Sequence, residues 1–112
     1  MSEKINYEDF KKVEIKIGEI LSVEKVEGAD KLVRLEVDLA EEKPRQIISG
    51  IALYFEDIQE LKGKKCTFVT NLEPRTIFGL ESNGMIFAAS DDNNNFSLLE
   101  PNDKIAVGTL LT

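Results

Sequence analysis

The chain has 112 residues, of which 42% are hydrophobic, and its formal net charge is −7. This length suits one small domain with a modest core, so we expect residues 1–112 to form a single domain. The sequence has no histidine and one cysteine, Cys66, so it lacks the usual general base and cannot form an internal disulfide. We therefore expect no enzyme activity, no metal site and no cofactor, and we expect Cys66 to be a small buried residue.

The expected compartment follows from what the sequence does not contain. No run reaches the roughly 18 apolar residues of a membrane span. The first ten residues, MSEKINYEDF, lack the apolar core of a signal peptide. We expect a cytoplasmic protein that does not associate with membranes.

The acidic balance argues against bulk electrostatic attraction to nucleic acid, which usually leaves a basic footprint. The charges are unevenly distributed, however. Acidic residues crowd segments 3–27, 56–60 and 91–92, whereas several basic residues lie elsewhere, namely Arg45, Lys62, Lys64, Lys65 and Arg75. This distribution is compatible with a local basic face on an acidic body.

The first half of the chain predicts a short helix and two strands. The helix covers residues 7–11, with Asn6 as its cap and Phe10 as its anchor. Alternating apolar residues predict a first strand over 13–23, and the change of phase at Gly18 predicts a bulge or a coiling of the strand there. A turn at 27–30 leads into a second, half-buried strand over 33–39.

The second half completes a recognisable order of elements. A third strand is predicted over 46–51, then a short helix over 55–61 ending before Gly63, then strands over 64–70 and 83–89. Three strands, a helix and two strands are the order of a five-stranded OB-fold Greek-key barrel. The predicted fold class is therefore all-β, with short helices and a C-terminal extension. The apolar tail over 96–111 must pack on the barrel or on a second subunit.

The stretch NLEPRTIFGLESNGMIFAA over residues 71–89 is the most informative part of the chain. It arranges Asn71, Arg75, Ser82 and Met85 around one loop and its flanking strand ends. Together these side chains offer hydrogen bonds, one fixed positive charge and a soft apolar surface. Such a set suits an RNA backbone and its bases better than a small metabolite. The stretch predicts a binding site without a catalyst.

The chain resembles the family of tRNA-binding OB-fold domains. The residues that carry the resemblance are NLEPR at 71–75, Gly79, Ser82, Gly84-Met85 and Ala88-Ala89, together with Asp9-Phe10, VEIKIGEI at 13–20, ADKLVRLEVDL at 29–39 and RQIISGI at 45–51. The family occurs as a stand-alone homodimeric protein and at the C-terminus of many methionyl-tRNA synthetases. The resemblance implies a non-catalytic module that recognises tRNA by shape and assists methionyl-tRNA synthetase in cis or in trans. It also implies a homodimer.

The resemblance implies RNA-binding roles for seven residues, which are Lys31, Arg45, Ser49, Asn71, Arg75, Ser82 and Met85. Considered by themselves, several have ordinary alternatives. Arg75 could pair with Glu73 on the surface, and Asn71 could form a turn with its own backbone. Met85 could belong to the core, and Lys31 could be a solvated lysine.

Two further alternatives stay open at the level of sequence. A peptide-binding or secretion-related chaperone module has a similar fold, and an acidic surface with an apolar groove could hold peptides. The sequence is also compatible with either a stand-alone protein or a domain of a longer synthetase.

Overall fold

A computed structural model describes residues 2–112 of the chain and consists mainly of antiparallel strands. Its elements in chain order are helix α1 (Tyr7–Phe10) and strands β1 (Ile15–Val26), β2 (Ala29–Asp38), β3 (Arg45–Ser49), β4 (Lys65–Val69), β5 (Arg75–Ile77), β6 (Leu80–Ser82), β7 (Met85–Ile86), β8 (Ala88–Ser90) and β9 (Phe96–Leu98). Two short 3-10 helices, Ala52–Tyr54 and Ile58–Leu61, lie between β3 and β4. The predicted all-β fold class is confirmed.

The main sheet has five strands in the order β3-β2-β1-β4-β7. All its pairs are antiparallel, and β1 is long enough to pair with β2 over one half and with β4 over the other. The strand order agrees with the predicted barrel. Its two edge strands, β3 and β7, share no ladder in the described chain, and the hairpin β5–β6 lies in the sequence between β4 and β7.

The core lies inside this curved sheet. Alternation along β2 buries Val33, Leu35 and Val37 completely, because successive side chains of a strand point to opposite faces. The largest side chain among the fully buried ones is Phe68 on β4. Cys66 precedes it on the same strand and is also fully buried, so the prediction that it is a small core residue is confirmed.

Gly18 does not form the bulge that its place in the sequence predicted. The irregularity in the β1–β2 ladder falls between Ile20 and Ser22. At Gly18 a Cβ atom would lie 2.7 Å from Cγ1 of Val37 and 2.9 Å from the Phe68 ring. The physical reason for this glycine is therefore close packing of the strand against the core.

The residues predicted at the helix ends are confirmed, whereas the predicted helix over 55–61 is not. Oδ1 of Asn6 accepts a hydrogen bond from the Asp9 N–H at 2.8 Å, which confirms the cap of α1. The predicted helix over 55–61 was wrong in type and length, since only Ile58–Leu61 is helical there, as a 3-10 turn that Asp57 caps. Gly63 follows with φ at 85°, as expected of a residue that ends a helix.

The predicted strand over 83–89 is divided into β7 and β8, and the loop before it contains the unpredicted hairpin β5–β6. Phe78 and Gly79 connect the two strands with φ values of 51° and 79°. A two-residue turn with positive φ at both positions matches the right-handed twist of a hairpin. The hairpin gives Arg75 a defined position on a strand.

The C-terminal tail packs on the barrel of its own chain. The N–H of Ile17 donates to the Thr109 carbonyl at 2.9 Å, and the N–H of Leu111 donates to the Ile15 carbonyl at 2.8 Å. The tail nevertheless leaves Leu110 half exposed. Within residues 2–112, none of the helices has the length and hydrophobicity that a membrane crossing requires.

Candidate nucleic-acid interface

A groove of about 290 Å³ opens where the free edge of β3 meets the hairpin β5–β6 and the start of β7. Four of the seven predicted site residues line it, namely Ser49, Arg75, Ser82 and Met85. They come from three separated parts of the chain. The structure thus brings most of the predicted set together, and it places Arg45 and Asn71 elsewhere.

Arg75 is the cation of this groove. It begins β5 and pairs in register with Ser82 on β6, so the hairpin holds its backbone in place. Its side chain is exposed, and within residues 2–112 it forms no ion pair, including the one with Glu73 that its sequence position suggested. An unpaired guanidinium keeps all its donors available for a phosphate or a base.

Ser82 is buried and its hydroxyl is engaged within the chain. The hydroxyl accepts a hydrogen bond from the N–H of Ile48 at 3.0 Å and donates one to the carbonyl of Gly84 at 3.0 Å. In the next position, the N–H of Asn83 donates to the carbonyl of Gln46 at 2.8 Å. These bonds join β6 to the free edge of β3 in place of a regular ladder, so Ser82 shapes the groove.

The remaining wall of the groove is mainly apolar and accessible, and Glu73 adds one carboxylate to it. Met85 and Leu72 are 41% and 42% exposed, and Leu32 and Ile77 contribute further apolar surface. Lys31, which precedes Leu32 on β2, is exposed and forms no ion pair in the described chain. The soft thioether of Met85 can pack against the flat face of a base or ribose.

Asn71 acts as a clamp on the segment that follows α1. Its Oδ1 accepts from the N–H of Glu14 at 2.8 Å, and its Nδ2 donates to the carbonyl of Lys12. It lines a second cleft, of about 490 Å³, between α1 and the C-terminal tail. Both polar atoms of the amide are therefore already bonded, away from the groove.

Arg45 is likewise engaged within the chain. Its guanidinium donates two hydrogen bonds to the Glu41 carboxylate, at 2.8 and 2.7 Å, and a third to the carbonyl of Thr70 at 2.6 Å. The bond from Arg45 lowers the pKa of Glu41, and the same bond raises the pKa of Arg45. Arg45 borders a third cleft, with Glu41 and Pro44, and its charge is neutralised there.

Other basic residues are also paired with acids. Lys64 lies 3.7 Å from Glu100, Lys16 lies 3.6 Å from Glu14, and Arg34 pairs with Glu24. A hydrogen bond from Thr70 also lowers the pKa of Glu14, with Lys16 adding to the effect. Of the basic residues that the sequence separated from the acidic segments, Arg45 and Lys64 are therefore paired with acids.

Sequence reasoning missed the apolar residues Leu32, Leu72 and Ile77, which line the groove. Leu32 follows the predicted Lys31, and Leu72 and Ile77 flank the predicted Arg75, so proximity to charged site residues was the available signal. The backbone of the β3 edge also borders the groove, and no residue type in the sequence indicates that a strand edge is exposed. Its exposure depends on how the hairpin packs.

A family model described as "Putative tRNA binding domain" matches residues 15–110. A methionine–tRNA ligase of Methanosarcina mazei is 45% identical over 105 residues, which are 94% of this chain and 14% of that protein. One of Lactococcus lactis is 44% identical over 109 residues, which are 96% of this chain and 16% of that protein. The chain spans less than a fifth of the length of these relatives.

Solved structures show the same architecture. A MetRS-related protein from Pyrococcus horikoshii superposes with a TM-score of 0.90 and 32% identity, over 99% of this chain and all of that one. The chaperone CsaA of Bacillus anthracis superposes with a TM-score of 0.85 at 24% identity, over 98% of this chain and all of that one. At that identity, the likeness to CsaA concerns the fold alone.

Proposed function

Because the chain belongs to the family of tRNA-binding domains, we propose that it is a non-catalytic module that binds tRNA by shape and assists methionyl-tRNA synthetase in cis or in trans. Residues 1–112 form one such domain in this proposal. The observation that carries it is the unpaired Arg75 beside an apolar groove at the open edge of β3. In barrels of this kind the face of the second and third strands and the adjoining loops bind oligonucleotides.

The seven predicted residues divide into two roles in this proposal. Lys31, Ser49, Arg75 and Met85 contact the RNA, since they are exposed or partly exposed at or beside the groove. Arg45, Asn71 and Ser82 position the surrounding segments, since their polar atoms are bonded within the chain. A binder of net charge −7 with so few free cations must gain much of its affinity from shape and nonionic contacts.

The proposal is tested by reversing the charge of Arg75. Arg75→Glu removes the guanidinium donors and adds repulsion toward phosphate, so we expect tRNA affinity to fall at least tenfold in a fluorescence anisotropy titration. Lys104→Glu is the matched control. It makes the same change of net charge at an exposed tail residue outside the groove lining, and it should stay within about twofold of the parent. Equal losses in both variants would show that only net charge matters and would reject the groove as the site.

We further propose a homodimer formed through the cleft between α1 and the tail. Tyr7 and Phe10 are 69% and 56% exposed there, and Leu110 and Leu111 continue the apolar surface on the tail. An apolar surface of this kind on a small domain is typical of an interface, and a symmetric pairing would bury it twice.

The dimer is tested by light scattering at tens of micromolar, roughly the range in which modest interfaces assemble. We expect the mass of two chains for the parent and of one chain for Phe10→Asp. Phe78→Asp is the control, because Phe78 is 61% exposed but lies at the tip of the β5–β6 hairpin. A parent protein that scatters as a monomer would contradict the dimer.

A further inference from the structure

Beside the groove, two backbone groups at the edge of β3 have no hydrogen-bond partner in the described chain. Successive residues of an extended strand direct their N–H and C=O groups to alternate sides. The carbonyl of Gln46 and the N–H of Ile48 face away from β2, since they bond Asn83 and Ser82. The carbonyl of Ile48 is the next group on that side, and the N–H of Gly50 follows in the bend after β3. The ladder of β3 is with β2, on the opposite side, and within residues 2–112 neither group has a hydrogen bond outside the ladders.

These two backbone groups lie in a small, mostly apolar surrounding. Ile48 and Gly50 both line the groove, and its other lining residues include Leu72, Met85, Arg75 and the acidic Glu73. The groove's volume of about 290 Å³ is at the low end of the roughly 300–1,000 Å³ of small-ligand sites, so it has room for one planar ring system. A base in a paired helix cannot bond these groups, because its Watson–Crick edge is already bonded to the opposite base.

The arrangement of the free backbone groups indicates whether this edge binds a peptide or a base. A peptide that adds a strand to β3 needs a row of donors and acceptors along the edge. On this edge Asn83 and Ser82 already occupy the Gln46 carbonyl and the Ile48 N–H, which interrupts the row and leaves the Ile48 carbonyl and the Gly50 N–H as the free pair beside the groove. Every nucleobase carries an adjacent donor and acceptor on its Watson–Crick edge, which single-stranded RNA leaves free.

We propose that the groove holds one unpaired base of the bound RNA. The Watson–Crick edge of the base bonds the Ile48 carbonyl and the Gly50 N–H, its flat face packs on Leu72 and Met85, and Arg75 binds a neighbouring phosphate. Because all four bases offer such an edge, the groove requires an unpaired base and does not select its identity. This inference rests on the proposed binding of tRNA at this surface.

The chain offers a matched pair of variants at Gly50. Gly50→Pro removes the backbone donor. Gly50→Ala keeps the donor, and the nearest atom to its Cβ would be Cδ2 of Leu32 at 4.0 Å, so the methyl group fits. We expect Gly50→Ala to bind a tRNA transcript within twofold of the parent. We expect Gly50→Pro, with its thermal unfolding recorded to establish that it folds, to bind about three- to tenfold more weakly.

A second measurement uses the parent protein and needs no substitution. Labelled tRNA is competed with a single-stranded RNA hexamer and with the same hexamer in a duplex. We expect the single strand to compete at least tenfold better than the duplex. Equal competition by the two, or a folded Gly50→Pro variant that binds like Gly50→Ala, would overturn the base site.

The outcomes also separate this inference from the proposed function. If Arg75→Glu weakens tRNA binding while Gly50→Pro does not, the surface binds tRNA without a base in the groove. If the parent fails to bind tRNA, both proposals fall. An unfolded polypeptide provides the last comparison. If it binds the parent and Gly50→Ala but not Gly50→Pro, while all three bind tRNA equally, the edge of β3 binds peptides. That result would overturn the base site.

Discussion

The hydroxyl of Ser82 accepts a hydrogen bond from the N–H of Ile48 at 3.0 Å and thereby attaches the β5–β6 hairpin to the free edge of β3. The same hydroxyl donates to the carbonyl of Gly84. One buried side chain thus joins the hairpin to β3 and to the residue before β7, where β3 and β7 share no ladder. It also lines the groove beside Arg75.

Ser82→Ala should lower the free energy of unfolding by about 1–3 kcal/mol, because the buried N–H of Ile48 loses its acceptor. Urea unfolding followed by circular dichroism measures this change. Ser90→Ala is the control, since Ser90 is exposed on β8 and should change the stability by less than about 0.5 kcal/mol. Equal stabilities for the two variants would show that the Ser82 bond contributes nothing.

Asn71→Asp should loosen the segment after α1 without touching the groove. The carboxylate still accepts from the Glu14 N–H, but it repels the carbonyl of Lys12 instead of donating to it, so the side chain should move away from this segment. We therefore expect faster hydrogen exchange at the Glu14 amide and a stability loss of about 1 kcal/mol. Asn93→Asp, in the exposed β8–β9 turn, should leave both quantities unchanged. If Asn71→Asp instead weakened tRNA binding with normal exchange at Glu14, Asn71 would be an RNA contact.

The salt dependence of tRNA binding should be shallow. Lys31 and Arg75 are the predicted cations that remain unpaired at this surface, and each phosphate contact contributes about 0.7 to 0.9 to the slope. We expect log affinity to fall against log salt with a slope of about −1.4 to −1.8 for one subunit, and about twice that if both subunits hold one RNA. Titrations between about 50 and 200 mM salt measure it. A steeper slope would require further cationic contacts.

Low pH should weaken the ion pair between Glu41 and Arg45. The bond from Arg45 lowers the folded-state pKa of Glu41 below its ordinary value of 4.5. The stability it contributes is therefore present above about pH 4.5 and is lost as pH falls through the lower, folded-state pKa. Urea unfolding at pH 7 and pH 3 should show a smaller acid-induced loss for Glu41→Gln than for the parent. An identical loss in both would show that Glu41 does not contribute to the acid dependence.

Some of the architecture could be predicted because its causes are local. Alternating apolar residues identified β1, β2 and β4, since side chains on a strand have a period of two. Asn6 and Gly63 were predicted at helix ends because capping involves residues only a few positions away. The two-residue turn at Phe78 escaped prediction because Phe rarely adopts positive φ, although Gly79 follows it.

Some features of the candidate site depend on residues that are close in sequence, and others depend on residues that are far apart in sequence. The sequence by itself determined that Arg75 and Met85 flank one loop, because they belong to a single short stretch with a fixed charge and an apolar side chain. Only the tertiary structure decided that Asn71 and Ser82 are bonded within the chain, since their partners lie 57 and 34 residues away. It also decided that Arg45 is neutralised and that the Ile48–Gly50 edge stays open, because hydrogen-bond satisfaction depends on which segments meet in space.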